Sequence, residues 1–111
     1  MGATRPQEIL NYRNEKTGAR PYPEWLAGLN DPQTQNRIRV QVNRVRLGNF
    51  GHCSPVGKGV LELKMDFGPG YRVYLGRDGM DRTILLGGGD KSTQAADIES
   101  AQTAWADYRT P

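Results

Sequence analysis

The strongest constraint on this chain is the segment Lys58 to Leu75, K-G-V-L-E-L-K-M-D-F-G-P-G-Y-R-V-Y-L. Leu61, Leu63, Met65 and Phe67 alternate with Glu62, Lys64 and Asp66. After Gly68-Pro69-Gly70, Tyr71, Val73 and Leu75 alternate with Arg72, Tyr74 and Gly76. A period of two is the signature of a strand with one buried face. Two such runs around a Gly-Pro-Gly turn predict an antiparallel hairpin. A turn confined to those three residues sets Phe67 opposite Tyr71. Asp66 then faces Arg72, Met65 faces Val73, and Lys64 faces Tyr74.

The remaining segments assemble around this hairpin. Arg77-Asp78-Gly79 carries an Asp-Gly turn signal, and Thr83 to Leu86 reads as a third strand of the meander. Residues 7–13 read as a short first strand, with residues 1–6 flexible before it. A helix begins near Pro23, with Trp25, Leu26 and Leu29 on one side. Asp31-Pro32 supplies an N-cap and a proline for the first helical position of a second helix, which runs to Leu47 and stops at Gly48. Ile38, Val42 and Val45 share one stripe of that helix, with Arg37 and Arg44 along one edge and Arg39 and Arg46 along the other. Ser92 or Thr93 caps a last helix carrying Ala95, Ile98, Ala101 or Gln102, and Trp105. Gly87-Gly88-Gly89 lets another element approach the backbone closely, or ends the strand. The order is β-α-α-β-β-β-α, an α+β domain, with the helices expected on one face of the sheet.

The 111 residues fit a single domain, 1–111. No apolar run approaches a membrane span, and the N-terminus lacks the apolar core of a secretory signal. Cys53 is the only cysteine, which excludes an internal disulfide and a cysteine-based zinc site, so a cytoplasmic location is expected. The net charge is +3, and residues 32–51 carry Arg37, Arg39, Arg44 and Arg46 with no acid. Such a helix suits a polyanion or an acidic partner. Lys58, opening the alternating run, joins these four as a candidate RNA-binding residue.

The polar face of the hairpin has chemistry suited to phosphate. Arg72 offers a bidentate guanidinium. Lys64 offers a point charge and, with a lowered pKa, an acid or base. Tyr74 can stack on a base or donate a proton. The plainer alternative is a solvated face with an Asp66–Arg72 cross-strand pair worth about 0.2–1 kcal/mol.

The pairing of L-x-L-x-x-x-x-G-P-G-Y-R-V-Y with L-L-G-G-G-D-K-S-T-Q-A-A-D-I-x-x-A resembles the RelE/ParE toxin superfamily. It is most similar to the HigB-like addiction module killer branch of type II toxin–antitoxin systems. P-E-W-L-A-G-L and G-N-F-G at 48–51 match the same branch, so the resemblance covers about residues 20–105. It implies a RelE-like fold and a toxin neutralised by a helix-turn-helix antitoxin. The toxin–antitoxin complex would bind its own promoter DNA. The implied activity is endoribonucleolytic cleavage of mRNA, often on the ribosome, which inhibits translation. No metal or cofactor is implied, because the RNA's own 2′-hydroxyl is the nucleophile.

Residue by residue, the resemblance makes Arg72 the phosphate-contacting arginine and Lys64 a nearby catalytic lysine. Lys91 falls where the family often has a basic residue, and His52 is an acid–base candidate. Two positions depart from the pattern. Glu62 replaces a second lysine, and Asp97 replaces a C-terminal tyrosine, for which Tyr74 or Tyr71 is a candidate substitute, Tyr71 being expected to face the core. These departures keep a second reading open, a non-enzymatic ParE-like poison of DNA gyrase. An RNA-binding domain without toxicity is a third.

Overall fold

The computed structural model of the chain describes residues 4–111. Its elements are β1 (Glu8–Asn11), α1 (Pro21–Ala27), α2 (Pro32–Arg46), β2 (Cys53–Pro55), β3 (Val60–Lys64), β4 (Arg72–Asp78), β5 (Arg82–Gly89), a 3-10 turn (Lys91–Thr93) and α3 (Gln94–Arg109). The mixed α+β class agrees with the expectation, but the sheet has five strands in the order β1-β5-β4-β3-β2. The additional strand, β2, pairs antiparallel with β3, setting Cys53 beside Leu63. β1 closes the opposite edge by pairing parallel with β5, Leu10 beside Ile84.

The sheet carries helices on both faces, which corrects the one-sided packing expected. On one face, α1 and α2 bury Tyr22, Leu26, Ile38, Val42 and Val45 against Leu63, Met65, Val73, Leu75 and Leu85. On the other, α3 buries Ala101, Ala104 and Trp105 against Tyr12, Val60, Tyr74, Ile84 and Leu86. Each β4 position from Arg72 to Gly76 is therefore buried. Glycines allow this closeness. A Cβ on Gly88 would strike the Trp25 ring of α1, and one on Gly89 would strike the Asp97 carboxyl of α3.

The hairpin register also differs from the sequence expectation. Lys64 pairs with Arg72, Leu63 with Val73 and Glu62 with Tyr74. The turn spans Met65 to Tyr71, since the Met65 N–H still donates to the Tyr71 carbonyl at 3.0 Å. The shift is two residues, so every side chain keeps its expected face. At the β4–β5 boundary Tyr74 pairs with Gly87 but Leu75 pairs with Leu85, leaving Leu86 as an extra residue in β5.

The start of α2 follows the capping rule. Asp31 Oδ1 accepts from the Gln33 N–H at 3.1 Å, and Pro32 takes the first helical position. Of the N-terminal residues expected to be flexible, 1–3 lie outside the described residues. Arg5 is held to Asp81 at 2.9 Å.

Candidate functional site

One cleft is lined by two arginines of α2 and by the lysine of the hairpin. It encloses about 190 Å³ and is lined by Arg37, Gln41 and Arg44 from α2, by His52, and by Lys64 to Phe67 at the end of β3. Arg37, Gln41 and Arg44 are spaced i, i+4, i+7, which aligns them on one helical row. Ile38, Val42 and Val45 fix the rotation of that row by burying the neighbouring stripe.

The other wall comes from strand pairing. Because Cys53 pairs with Leu63, the next residues outward, His52 and Lys64, lie across from each other. The Lys64 N–H donates to the His52 carbonyl at 3.3 Å. Both side chains are exposed. The Arg37 guanidinium lies 3.9 Å from the Phe67 ring centroid. Stacking of this kind orients the guanidinium while leaving its in-plane N–H groups available. Neither Arg37, Arg44 nor Lys64 forms an ion pair among the described residues. Asp66 is the one acid in the lining.

The face that carries Arg72 and Tyr74 is closed, contrary to the open catalytic face expected. Tyr74 is fully buried and Arg72 is 5% exposed. The Glu62 carboxyl organises both. Its Oε2 accepts from Tyr74 Oη at 3.2 Å and Gln94 Nε2 at 2.9 Å, and lies 3.7 Å from Arg72 Nε. Arg72 Nη1 donates to the Gly70 carbonyl at 2.6 Å, while its Nε is buried without a hydrogen-bond partner. Burial raises the Tyr74 pKa, reinforced by the charge of Glu62. A sealed phenol of this kind is a poor proton donor to a substrate. The Asp66–Arg72 cross-strand pair does not form, since Arg72 pairs with Glu62 instead.

The remaining candidates divide by position. Lys91 is exposed on the 3-10 turn, and its N–H donates to the Pro69 carbonyl at 3.3 Å, on the Arg72 side of the turn. It is not part of the cleft lining. Arg39 and Arg46 line a different pocket, of about 140 Å³, with Ile9, Tyr22 and Val42. The two edges read from α2 are therefore real, and only the Arg37/Arg44 edge meets the hairpin. Lys58 is exposed at the far end of β3 from Lys64.

Sequence reasoning did not assign Gln41, Met65, Asp66 or Phe67 to a site. Gln41 was detectable, since it completes the Arg37–Arg44 row. Phe67 was assigned to the core by alternation, but it is half-buried with its ring under Arg37.

No helix among the described residues is long and apolar enough to cross a membrane. Neither a protein-family model nor a solved structure matches the chain. A Haemophilus influenzae protein described as an uncharacterized protein is 42% identical over 81 residues, which cover 73% of this chain and 82% of that protein.

Proposed function

The chain belongs to the same family as that Haemophilus influenzae protein, and we propose that it is the toxin of a type II toxin–antitoxin module, an endoribonuclease of the RelE kind. The supporting observation is the open cleft whose lining includes Arg37, Arg44, His52 and Lys64. Its chemistry fits an RNA phosphodiester. The 2′-oxygen attacks the adjacent phosphorus, and the bond to the 5′-oxygen breaks. One group takes the proton from the 2′-hydroxyl and another returns a proton to the leaving 5′-oxygen. His52 and Lys64, across from each other on neighbouring chain segments, are assigned those two transfers. Arg37 and Arg44 stabilise the charge that builds on the phosphorane oxygens. The products are a 2′,3′-cyclic phosphate and a 5′-hydroxyl. Arg72, first in line by resemblance, becomes a support beneath the hairpin.

In this reading a helix-turn-helix antitoxin covers the basic cleft, the complex binds promoter DNA, and free toxin acts on mRNA, including mRNA on the ribosome. A second reading has its own support. Arg72 and Tyr74 are sealed under α3 with Glu62, as a non-enzymatic ParE-like gyrase poison would tolerate. Mapping RNA 5′ ends minutes after induction separates the two. New ends in coding regions that vanish with His52→Ala/Lys64→Ala are expected. Growth arrest with intact transcripts and damaged DNA would replace the ribonuclease with the gyrase poison.

A further inference from the structure

A groove of about 140 Å³ lies where β1, α1 and α2 meet. It is lined by the buried or half-buried Ile9, Tyr22 and Val42 and by the exposed Arg39, Asn43 and Arg46. No acid belongs to the lining. β1 is the last strand on its side of the sheet, so the groove borders a sheet edge.

The backbone of that edge is open. The Glu8 N–H donates to the Asp81 carbonyl at 2.7 Å, and the Tyr12 N–H to the Leu85 carbonyl at 3.0 Å. Backbone groups alternate in direction along a strand, so Ile9 and Asn11 turn theirs away from β5. Gln7 is in phase with them, and its N–H donates outward to the Arg46 carbonyl of α2 at 2.7 Å. Beyond Gln7, Ile9 and Asn11 have no backbone partner on that side among the described residues.

The two edges of the sheet differ. β2 is three residues long and ends in Pro55, which has no N–H to offer a further strand. β1 contains no proline. Leu10, on the opposite face of β1 from Ile9, is 38% exposed. A strand added beside β1 would find apolar surface on both of its faces.

Arg39 and Arg46 set the charge of what can dock there. Arg39 Nη1 donates to Asn36 Oδ1 at 3.0 Å, and Arg46 Nε to Asn43 Oδ1 at 2.9 Å. Both acceptors are neutral, and neither arginine forms an ion pair among the described residues. A second copy docked through the same edge would bring its own Arg39 and Arg46 there, like charge against like. An RNA strand cannot continue a β ladder. The one aromatic ring in the lining, Tyr22, is buried and offers no face for a base to stack on. An acidic polypeptide meets both requirements.

We propose that the β1 edge is a docking site for an extended segment of a partner protein, with an apolar residue flanked two positions away on either side by acids. The segment adds as a sixth strand, its backbone pairing with Ile9 and Asn11. Its apolar side chain enters the groove, and its carboxylates meet Arg39 and Arg46. The proposal stands independently of the cleavage chemistry.

The test selects, on the full chain, phage-displayed ten-residue peptides with acidic-x-apolar-x-acidic fixed at their centre and the other positions random. Peptides are expected to be enriched, and their synthetic copies to protect the Ile9 and Asn11 amide protons from exchange. Arg39→Glu/Arg46→Glu and, separately, Asn11→Pro are each expected to weaken those peptides about tenfold or more while melts show a folded protein. The Asn11 N–H serves no bond to β5, so the proline removes only the outward donor. Failure to enrich any peptide would overturn the proposal. So would peptides that leave Ile9 and Asn11 unprotected, or that bind the arginine variant at full affinity. Protection of the same two amides by dimerisation of the chain alone, seen in sedimentation, would overturn it in favour of a second copy.

Discussion

Two groups of charged residues share the β3–β4 hairpin, and they have opposite fates. Lys64, with His52, Arg37 and Arg44, lines a cleft open to solvent. Glu62, Arg72 and Tyr74, within two rungs of the same ladder, are sealed beneath α3. The strands do not distinguish the groups, since both contain charges at the same alternating positions. What separates them is the cover. α3 lays Ala101, Ala104 and Trp105 over β3, β4 and β5, and Lys64 lies at the end of β3 where exposure returns. A charge under the helix must be neutralised locally, so the Glu62 carboxyl becomes a hub for Arg72, Tyr74 and Gln94. A charge beyond the helix is left for a partner.

That contrast is most sharply broken by removing the hub. Glu62→Ala strands the Arg72 guanidinium without its counter-charge and is expected to cost about 3–5 kcal/mol of stability in denaturant melts. Lys64→Ala, one β3 neighbour away but exposed, is expected to stay within about 0.5 kcal/mol of the parent. In activity the order reverses. His52→Ala and Lys64→Ala are each expected to slow cleavage of a defined RNA by about 10²–10⁴-fold, the range of one general acid–base group.

Smaller changes refine the same comparison. Tyr74→Phe removes one bond to Glu62 and should cost about 0.5–1.5 kcal/mol in melts while leaving cleavage unchanged at temperatures where the protein is folded. Cys53 is half-buried, and burial pushes its thiol up to about 11. Alkylation at pH 8 is therefore expected to run slower in the folded protein than in denaturant, where the thiolate fraction is larger.

Tyrosine titration probes the α3 side. Tyr12, raised to about 12 by burial and by its bond to Asp107, sits in the α3 core with Tyr74. A phenol whose folded pKa exceeds its unfolded value contributes stability that is complete below about pH 10. That contribution is lost as pH rises toward 12. Absorbance titration of the folded protein should show Tyr12 ionising well after the same residue in the unfolded chain.

The strand alternation carried the hairpin and the face of each side chain. It did not carry the turn length, because a shift of two residues preserves the alternation, and only the backbone bond from Met65 to Tyr71 decides it. The covering of the second face was hidden for a compositional reason. The buried stripe of α3 is largely alanine, and Tyr74 and Arg72 read equally well as surface or interior residues. β2 was illegible because Cys-Ser-Pro has no alternation and ends in a residue that cannot donate to a ladder. The parallel pairing of β1 with β5 joins segments far apart in sequence and leaves no local mark. Half of the cleft was legible: the Arg37/Arg44 edge follows from helical geometry. Its meeting with His52 and Lys64 depends on β2, the strand the pattern did not reveal.

The most direct test of the contrast is an amide chemical-shift map with a 2′-O-methylated RNA oligonucleotide, which binds without being cleaved. Perturbations centred on Arg37, Gln41, Arg44, His52 and Lys64 to Phe67, with Glu62 and Tyr74 unmoved, are expected. Shifts centred on Glu62, Arg72 and Tyr74, with those cleft residues silent, would mean that α3 lifts to expose the sealed face, and would contradict the assignment of the open cleft.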